Sequence, residues 1–242
     1  DLQVPKGQEG VDQVLGQLFD FGTTRLHRVA FQKALDDIGA DASAGTEFEA
    51  RALTPHFERA VQLLADNELH PALPGKAFAT VRRQVADTVA GRLHSPGYLT
   101  REALRKGLFP KDDPSLRQAT PKSVNALTLK DVREYYRQAF RPDLTTIVVV
   151  GDITPKRAQE VVESAFGDWK AKGEKPNTTL PPVPLNRPVG TFVPSASRVQ
   201  STVLLAETLG LDRFNPDYYA LQLGNHVLGG GFYATRLYHD LR

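Results

Sequence analysis

A polar frame with the spacing of a metal-binding motif lies within residues 10–23, GVDQVLGQLFDFGT. Gln13, Gly16 and Gln17 stand at positions i, i+3 and i+4, so in a helix they share one face. The pattern His-x-x-Glu-His uses this spacing to join two zinc ligands and a general base for metal-activated hydrolysis. Amides are poor zinc ligands beside imidazole, and a glycine cannot accept a proton. The frame therefore predicts no metal site, and its simplest interpretation is an amphipathic core helix.

The remaining candidate nucleophiles and ligands point the same way. The chain has no cysteine, which excludes disulfides, a thiol nucleophile and a thiolate zinc site. No pair among the six histidines has the three- or four-residue separation that would hold a metal from one helix; they are His27, His56, His70, His94, His226 and His239. No Gly-x-Ser-x-Gly elbow is present. Zinc-dependent turnover by the isolated chain would instead favour a hydrolase that uses other residues.

Composition sets broad limits on the protein. Its 242 residues fit one large domain or two ordinary ones. The content of 40% hydrophobic and 24% charged residues is typical of a globular protein. A net charge of +2 favours neither a nucleic-acid partner nor its absence. No apolar run is long enough to span a membrane.

Apolar periodicity predicts a chain rich in amphipathic helices. Helix signals such as an N-cap Thr24, a Thr128–Asp131 capping box and an Arg141-Pro142 stop mark several ends. Asp66 and Glu68 are expected on a solvated helix face. The predicted helices cover residues 10–23, 24–38, 55–69, 74–92, 98–107, 128–140, 154–169, about 215–228 and 233–242.

Fewer segments have the pattern of strands. Residues 40–53 alternate small or apolar with polar residues, as in a half-buried or edge strand. Residues 144–150, LTTIVVV, are the strongest strand signal. Further strands are predicted at about 189–193 and at 199–208. The run Gly229–Gly231 lacks the Lys-Ser/Thr of a phosphate loop, so we expect a tight turn between two helices.

Several of these strings together resemble the pitrilysin/insulinase superfamily of zinc peptidases, which includes the mitochondrial processing peptidase. The most specific is YYRQAFRPDLTTIVVVGD, residues 135–152, which resembles a helix–strand–turn of that family. Residues 10–23 resemble its motif helix and following Gly-Thr, and residues 228–242, LGGGFYATRLYHDLR, resemble a Gly-rich turn and the segment after it. The resemblance extends over essentially the whole chain.

The resemblance implies an α/β fold of the α+β type: a mixed, largely antiparallel sheet with helices packed on one face. It implies a peptidase-like N-terminal domain at residues 1–170, whose first strands are expected to be missing. A Pro-rich linker is expected at residues 171–188, which hold five prolines: Pro176, Pro181, Pro182, Pro184 and Pro188. Residues 189–242 would begin a second, similar domain.

The same resemblance locates the degenerate site. Gln13 stands where the family has its first His ligand, Gly16 where it has the catalytic Glu, and Gln17 where it has the second His. Thr88 aligns with the Glu that supplies the third ligand. The chain is therefore expected to bind no metal and to have no catalytic residue of its own. Zinc is expected only in a partner subunit.

Substrate contacts could survive this loss. Arg242 matches a family arginine that contacts bound substrate, where a guanidinium could hold a peptide carbonyl; it could equally be a surface cation at a helix end. Family substrates add to a strand edge through main-chain hydrogen bonds. Ala42, Ser43 and Ala44 would form that edge here, unless Glu47 and Glu49 simply keep other strands from pairing with it.

The leading hypothesis is a catalytically inactive subunit that pairs with an active, metal-bearing chain of the same family and helps to bind extended peptides. The alternative is a non-catalytic scaffold or peptide-binding protein with the same fold. Neither involves nucleic acid or a membrane span in this chain. Bacterial relatives of this degenerate type are often exported, so a periplasmic location is expected.

Overall fold

The fold is helix-rich with a small antiparallel sheet, within the α/β class. The computed structural model describes residues 2–195, 199–231 and 233–241. The chain divides into two compact units, residues 1–99 with 113–180, and residues 100–112 with 181–242. The helices are α1 Val11–Leu18, α2 Arg28–Asp36, α3 Phe57–Leu69, α4 Gly75–Arg92, α5 Pro96–Leu108, α6 Pro121–Ala126, α7 Leu129–Ala139, α8 Pro155–Phe166, α9 Tyr218–Asn225 and α10 Arg236–Leu241; the strands are β1 Asp41–Ser43 and β2 Glu49–Arg51.

The main core of the first unit lies where α1 packs against α4 and α7. Helix α1 supplies its apolar stripe, and α6 also packs against α4. Removing these side chains from water is the main driving force for this packing. Fully buried members are Val11, Val14, Leu15, Leu18, Val85, Val124, Val132 and Tyr135.

Helix α3 joins two smaller clusters in the same unit. Leu63 packs with Phe31 and Leu35 of α2 and reaches the β1–β2 hairpin through Ala42 and Ala50. Val61 and Ala65 pack against α8, where Phe166 stacks on Phe48 and contacts Trp169. Helix α3 therefore holds the hairpin between α2 and α8.

Helices with strong local signals form where the sequence predicts them. Helix α4 covers 75–92 against a predicted 74–92, and α7 covers 129–139 against 128–140. Thr128 and Asp131 form the predicted capping box, in which each side chain accepts the other's backbone N–H. Helix α6 has a similar box from Thr120 and Ser123, and the sequence analysis did not predict this helix.

The prediction of a helix over 24–38 is wrong at its start. Helix α2 begins at Arg28, with His27 rather than Thr24 at the N-cap. The buried Thr23 side chain instead accepts the N–H groups of Arg25 and Leu26, at 3.0 and 2.8 Å. This local turn competes with the helix for the same backbone donors.

The single strand predicted over residues 40–53 is a hairpin. Strands β1 and β2 pair antiparallel, with Asp41 opposite Arg51, Ala42 opposite Ala50 and Ser43 opposite Glu49. Gly45 in the connecting loop has φ of +146°, a conformation that L side chains rarely adopt. The small residues of ADASAGTEFEA thus form a turn. The alternation of small and polar residues alone does not indicate this turn.

Residues 144–150, 189–193 and 199–208 form no strand in the described part of the chain. Pro142–Leu144 is a 3₁₀ turn, and the segment after it leaves Val148 and Val150 exposed at 78% and 92%. Among the described residues the only sheet is β1–β2. A β-branched sequence favours extension, but a strand also needs a neighbouring backbone to pair with.

The second unit contains α9 and α10 near its end. Residues His226–Gly230 form a π-helical turn directly after α9. Gly229 and Gly230 of the expected tight turn therefore continue the helix, and Gly231 follows it with an extended backbone. Asn186 and Thr208 exchange hydrogen bonds, with backbone N–H to side-chain oxygen distances of 2.7 and 2.8 Å. In the described residues, no helix has both the length and the hydropathy needed to cross a membrane.

Candidate functional site

The polar frame of the sequence lies on α1, opposite its apolar stripe. Val14, Leu15 and Leu18 are at most 1% exposed, whereas Gly16 and Gln17 face solvent and Gln13 is half-buried. The helix is therefore fixed by one side and offers the other to solvent, as the periodicity predicts. That outer side carries amides and a glycine, none of which titrates near neutral pH.

Thr88 lies on the exposed side of α4, which packs against α1. Its hydroxyl donates to the Gln84 carbonyl at 2.9 Å, one turn earlier in the same helix. Thr88 is therefore engaged within α4. In the part of the chain that the structure describes, no group of three or more His, Cys, Asp or Glu side chains has a geometry suited to a metal ion.

A sharp turn ends α1 and leads to α2. Residues Phe19–Phe21 form a 3₁₀ turn, and Gly22 follows with φ of +79°. A Cβ at Gly22 would collide with the Leu26 carbonyl oxygen, so only glycine fits this turn. The Asn67 side chain donates to the Phe19 and Gly22 carbonyls, at 3.3 and 3.1 Å, once its amide is oriented to match its neighbours.

The predicted peptide edge lies in the hairpin. Ala42 and Ser43 belong to β1, and Ala44 begins the loop that leads to β2. Strand β1 pairs with β2 on one side, and among the described residues no strand pairs with its other side. Glu47 and Glu49 are exposed, and Glu49 forms an ion pair with Arg51. Arg242 lies outside the described residues.

Three polar residues in a row lie at the end of α3, and we call Asp66, Asn67 and Glu68 the α3 junction. Asn67 and Glu68 are 4% and 1% exposed, and Asp66 lies within 3.8 Å of Arg25. The expectation that Asp66 and Glu68 lie on a solvated face is therefore wrong for Glu68. The packed hairpin and α7 remove its side chain from water.

Glu68 holds the hairpin loop by one hydrogen bond. Its Oε2 accepts the Gly45 N–H at 2.9 Å. Burial raises the pKa of Glu68 to about 7, and the bond from Gly45 acts in the opposite direction. A buried carboxylate with a single hydrogen bond is poorly compensated for the loss of water. The group is therefore poised to change charge near neutral pH.

Helix α7 anchors the same junction. The Tyr136 hydroxyl lies 2.8 Å from the Glu68 backbone carbonyl and 2.9 Å from that of Leu69, and it donates to this carbonyl pair. Burial and, to a smaller extent, the charge of Glu68 raise the pKa of Tyr136 above its ordinary range. The junction thus ties together the α1 turn, the hairpin loop and α7.

A cavity of about 920 Å³ opens beside the junction within the first unit. Its wall includes Glu68 and the hairpin on one side, residues 144–150 on the other, and the rings of Phe166 and Trp169. This cavity was not predicted from the sequence. The one available signal was the sequence Asp-Asn-Glu in the otherwise apolar end of α3, where polar residues interrupt the pattern of a buried helix.

Comparison with known sequences agrees with the resemblance. A family model described as the peptidase M16 inactive domain matches residues 126–242. An uncharacterized zinc protease of Streptomyces coelicolor is 22% identical over 96% of this chain and 52% of its own length. The probable alpha subunit of the mitochondrial-processing peptidase of Schizosaccharomyces pombe is 23% identical over 92% of this chain and 46% of its length. The chain thus spans about half the length of these curated relatives.

Solved structures share the fold. A peptidase M16 inactive domain from Pseudomonas fluorescens aligns with a TM-score of 0.77 and 21% identity, over 100% of this chain and 60% of its own. The periplasmic protease PqqL from Escherichia coli aligns with a TM-score of 0.60 and 15% identity, over 76% of this chain and 22% of its own. At these identities the structures support the fold.

Proposed function

We propose that this chain, as a member of the M16 family of zinc peptidases, is a catalytically inactive subunit. In this role it helps to bind extended peptides. Its partner would be an active chain of the same family, and the metal would lie in that partner. The observation that carries the proposal is the solvent face of α1. This face has the spacing of the zinc motif but presents Gln13, Gly16 and Gln17.

The chemistry of that face supports a non-catalytic role. Hydrolysis at a metal needs ligands that bind it and a base that accepts a proton from water. Gln13, Gly16 and Gln17 offer neither an imidazole nor a carboxylate, and Thr88 is bonded within its own helix. All four groups are replaced, yet α1 is still packed in place. This combination favours a protein that keeps the fold for a function other than hydrolysis.

The edge of β1 supports peptide binding. A strand with one side unpaired can add an extended segment through main-chain hydrogen bonds, which demand little of the peptide's sequence. Ala42, Ser43 and Ala44 have small side chains, so a second backbone can approach closely. In this proposal Arg242 of the inactive chain contacts the same peptide at the partner's metal, and the assembly lies in the periplasm.

Mixing experiments test the catalytic half of the proposal. Fluorescein-labelled β-casein, an unfolded polypeptide, is incubated with zinc and the chain in its full-length form, alone and with the proteins that co-purify from its source. We expect cleavage only in the mixture, and loss of that cleavage in Arg242→Ala but not in Arg236→Ala, the nearby exposed arginine of α10. Zinc-dependent cleavage by the chain alone would refute the proposal.

Hydrogen exchange tests the binding half. Bound casein should slow exchange of the backbone amides of residues 41–44, while those of α8 keep their rates. Uniform protection, or none, would mean that β1 is not the binding edge.

The alternative is a scaffold that binds no substrate, favoured by the exposed Glu47 and Glu49 beside the edge. A stable complex with no cleavage and no protection of residues 41–44 would select this alternative.

A further inference from the structure

The loop that follows the candidate peptide edge is hydrogen-bonded to a buried acid, Glu68. Residues Ala44–Phe48 connect β1 to β2, and the backbone N–H of Gly45 is directed to Glu68 Oε2 at 2.9 Å. Glu68 itself is 1% exposed, while the cavity reaches its side chain. Each strand of the hairpin has only three residues, so the bond from Gly45 adds to the packing of Phe48 on Phe166 in fixing the loop.

We propose that Glu68 is a positioning residue whose protonation holds the 44–48 loop, and through it the edge formed by Ala42, Ser43 and Ala44, in the conformation that binds an extended peptide. The inference rests on the proposed function, because it takes β1 as the peptide-binding edge. It adds a control of that edge by proton concentration.

Among the described residues, no cation forms an ion pair with Glu68. On its own helix Asp66 is directed to Arg25. Helix α7 contributes the hydroxyls of Tyr135 and Tyr136, and Tyr136 is engaged with backbone carbonyls.

The hairpin and the far wall of the cavity add five more charged side chains, which are two ion pairs and one further acid. Arg51 pairs with Glu49, and Arg141 pairs with Asp143 through two hydrogen bonds of 2.9 Å. Glu47 lines the same cavity and adds negative charge. The arginines of this cavity wall are therefore already paired with other acids.

The direction of the effect follows from this environment. A protonated carboxyl is neutral, tolerates burial and can still accept the Gly45 N–H through its carbonyl oxygen. The Gly45 bond favours the ionised form, but burial disfavours it more strongly. Ionised Glu68 therefore gains more by moving toward water in the cavity, and this movement releases Gly45. Burial sets the pKa of Glu68 at about 7, which puts this change within the neutral range.

Nuclear magnetic resonance of the full chain tests the clamp without any ligand. The ¹H–¹⁵N signal of the Gly45 amide is followed from pH 5 to pH 8.5 in the wild type, Glu68→Gln and Glu174→Gln, the last an exposed acid of the same unit. We expect a transition near pH 7 in the wild type and Glu174→Gln. Glu68→Gln keeps a neutral acceptor for Gly45, so its signal should stay flat and resemble the wild type at low pH.

Peptide binding is then measured with labelled β-casein over the same pH range. Affinity of the wild type should fall about tenfold from pH 6 to pH 8, whereas Glu68→Gln should keep the high affinity throughout. Rescue at pH 8 by this conservative variant is an outcome that a merely structural role for Glu68 would not produce.

The outcomes separate the two proposals. A Gly45 signal that does not titrate, or that titrates equally in Glu68→Gln, overturns the positioning role. A titrating signal with pH-independent affinity overturns its coupling to the peptide edge. If no variant binds casein at any pH while Gly45 titrates, the proposed function fails and the loop clamp is supported.

Discussion

The solvent face of α1 and the α3 junction are both polar, yet they stand in opposite environments. Gly16 and Gln17 are exposed and hold nothing in place, whereas Asn67 and Glu68 are almost fully buried and bind backbone groups of the α1 turn and the hairpin loop. Polar side chains contribute most to stability where water cannot replace their contacts. In this chain the residues under such constraint therefore lie at the end of α3 and not on the polar face of α1.

The largest expected effect comes from the apolar side of α1. Leu15→Ala removes a side chain that is 1% exposed and leaves a cavity between α1, α4 and α7. We expect a loss of about 2–5 kcal/mol in the free energy of unfolding. Fluorescence of Trp169, the only tryptophan, reports the urea unfolding of this unit.

Gln17→Ala on the same helix is the matched control, with an expected change within about 0.5 kcal/mol. A large loss in Gln17→Ala would mean that the polar face of α1 is also held by contacts, and the contrast with the α3 junction would disappear.

The next effect is the pH dependence from Glu68. Its pKa is raised from 4.5 in the unfolded chain to about 7 in the folded protein, so between these values the folded state binds more protons than the unfolded state. The free energy of unfolding should therefore decrease as pH rises from about 4.5 to 7. The decrease is at most about 3 kcal/mol.

Glu68→Gln should remove this decrease, because an amide does not titrate, while Glu174→Gln should retain it. Urea midpoints of the three proteins at pH 5 and pH 7.5 measure this decrease in stability. Equal pH dependence in the wild type and Glu68→Gln would assign the effect to other groups and weaken the distinction between the two regions.

A smaller loss is expected at the hairpin loop. Gly45→Ala places a Cβ at a residue with φ of +146°, although the nearest atom, the Glu47 carbonyl oxygen, is at an acceptable 3.7 Å. Backbone strain and not collision is therefore the cause, with an expected loss of about 1–3 kcal/mol. Urea unfolding measures the loss, and a neutral result would mean that the loop relaxes freely.

The accuracy of sequence prediction depended on the distance between interacting residues. Helices α4 and α7 were predictable because their periodicity and caps lie within the segment itself. The burial of Glu68 depends on Gly45 and Tyr136, which are 23 and 68 residues away. Likewise, the β-branched residues 144–150 indicate extension, but the pairing partner that would make them a strand is not encoded within them. Local patterns thus show three polar residues in α3 but do not show that Asn67 and Glu68 are buried.

The smallest effect, and the sharpest contrast with Gly45, is expected at Gly16. This glycine is inside α1, is exposed, has no left-handed φ, and no atom lies within 4 Å of an added Cβ. Gly16→Ala should therefore stabilise the first unit by about 0.5–1 kcal/mol, since alanine loses less backbone entropy in a helix. The same urea titration measures it, and casein binding should be unchanged. A loss of stability or of binding would mean that another backbone approaches this position in the assembled protein, so that the solvent face of α1 is itself a contact surface.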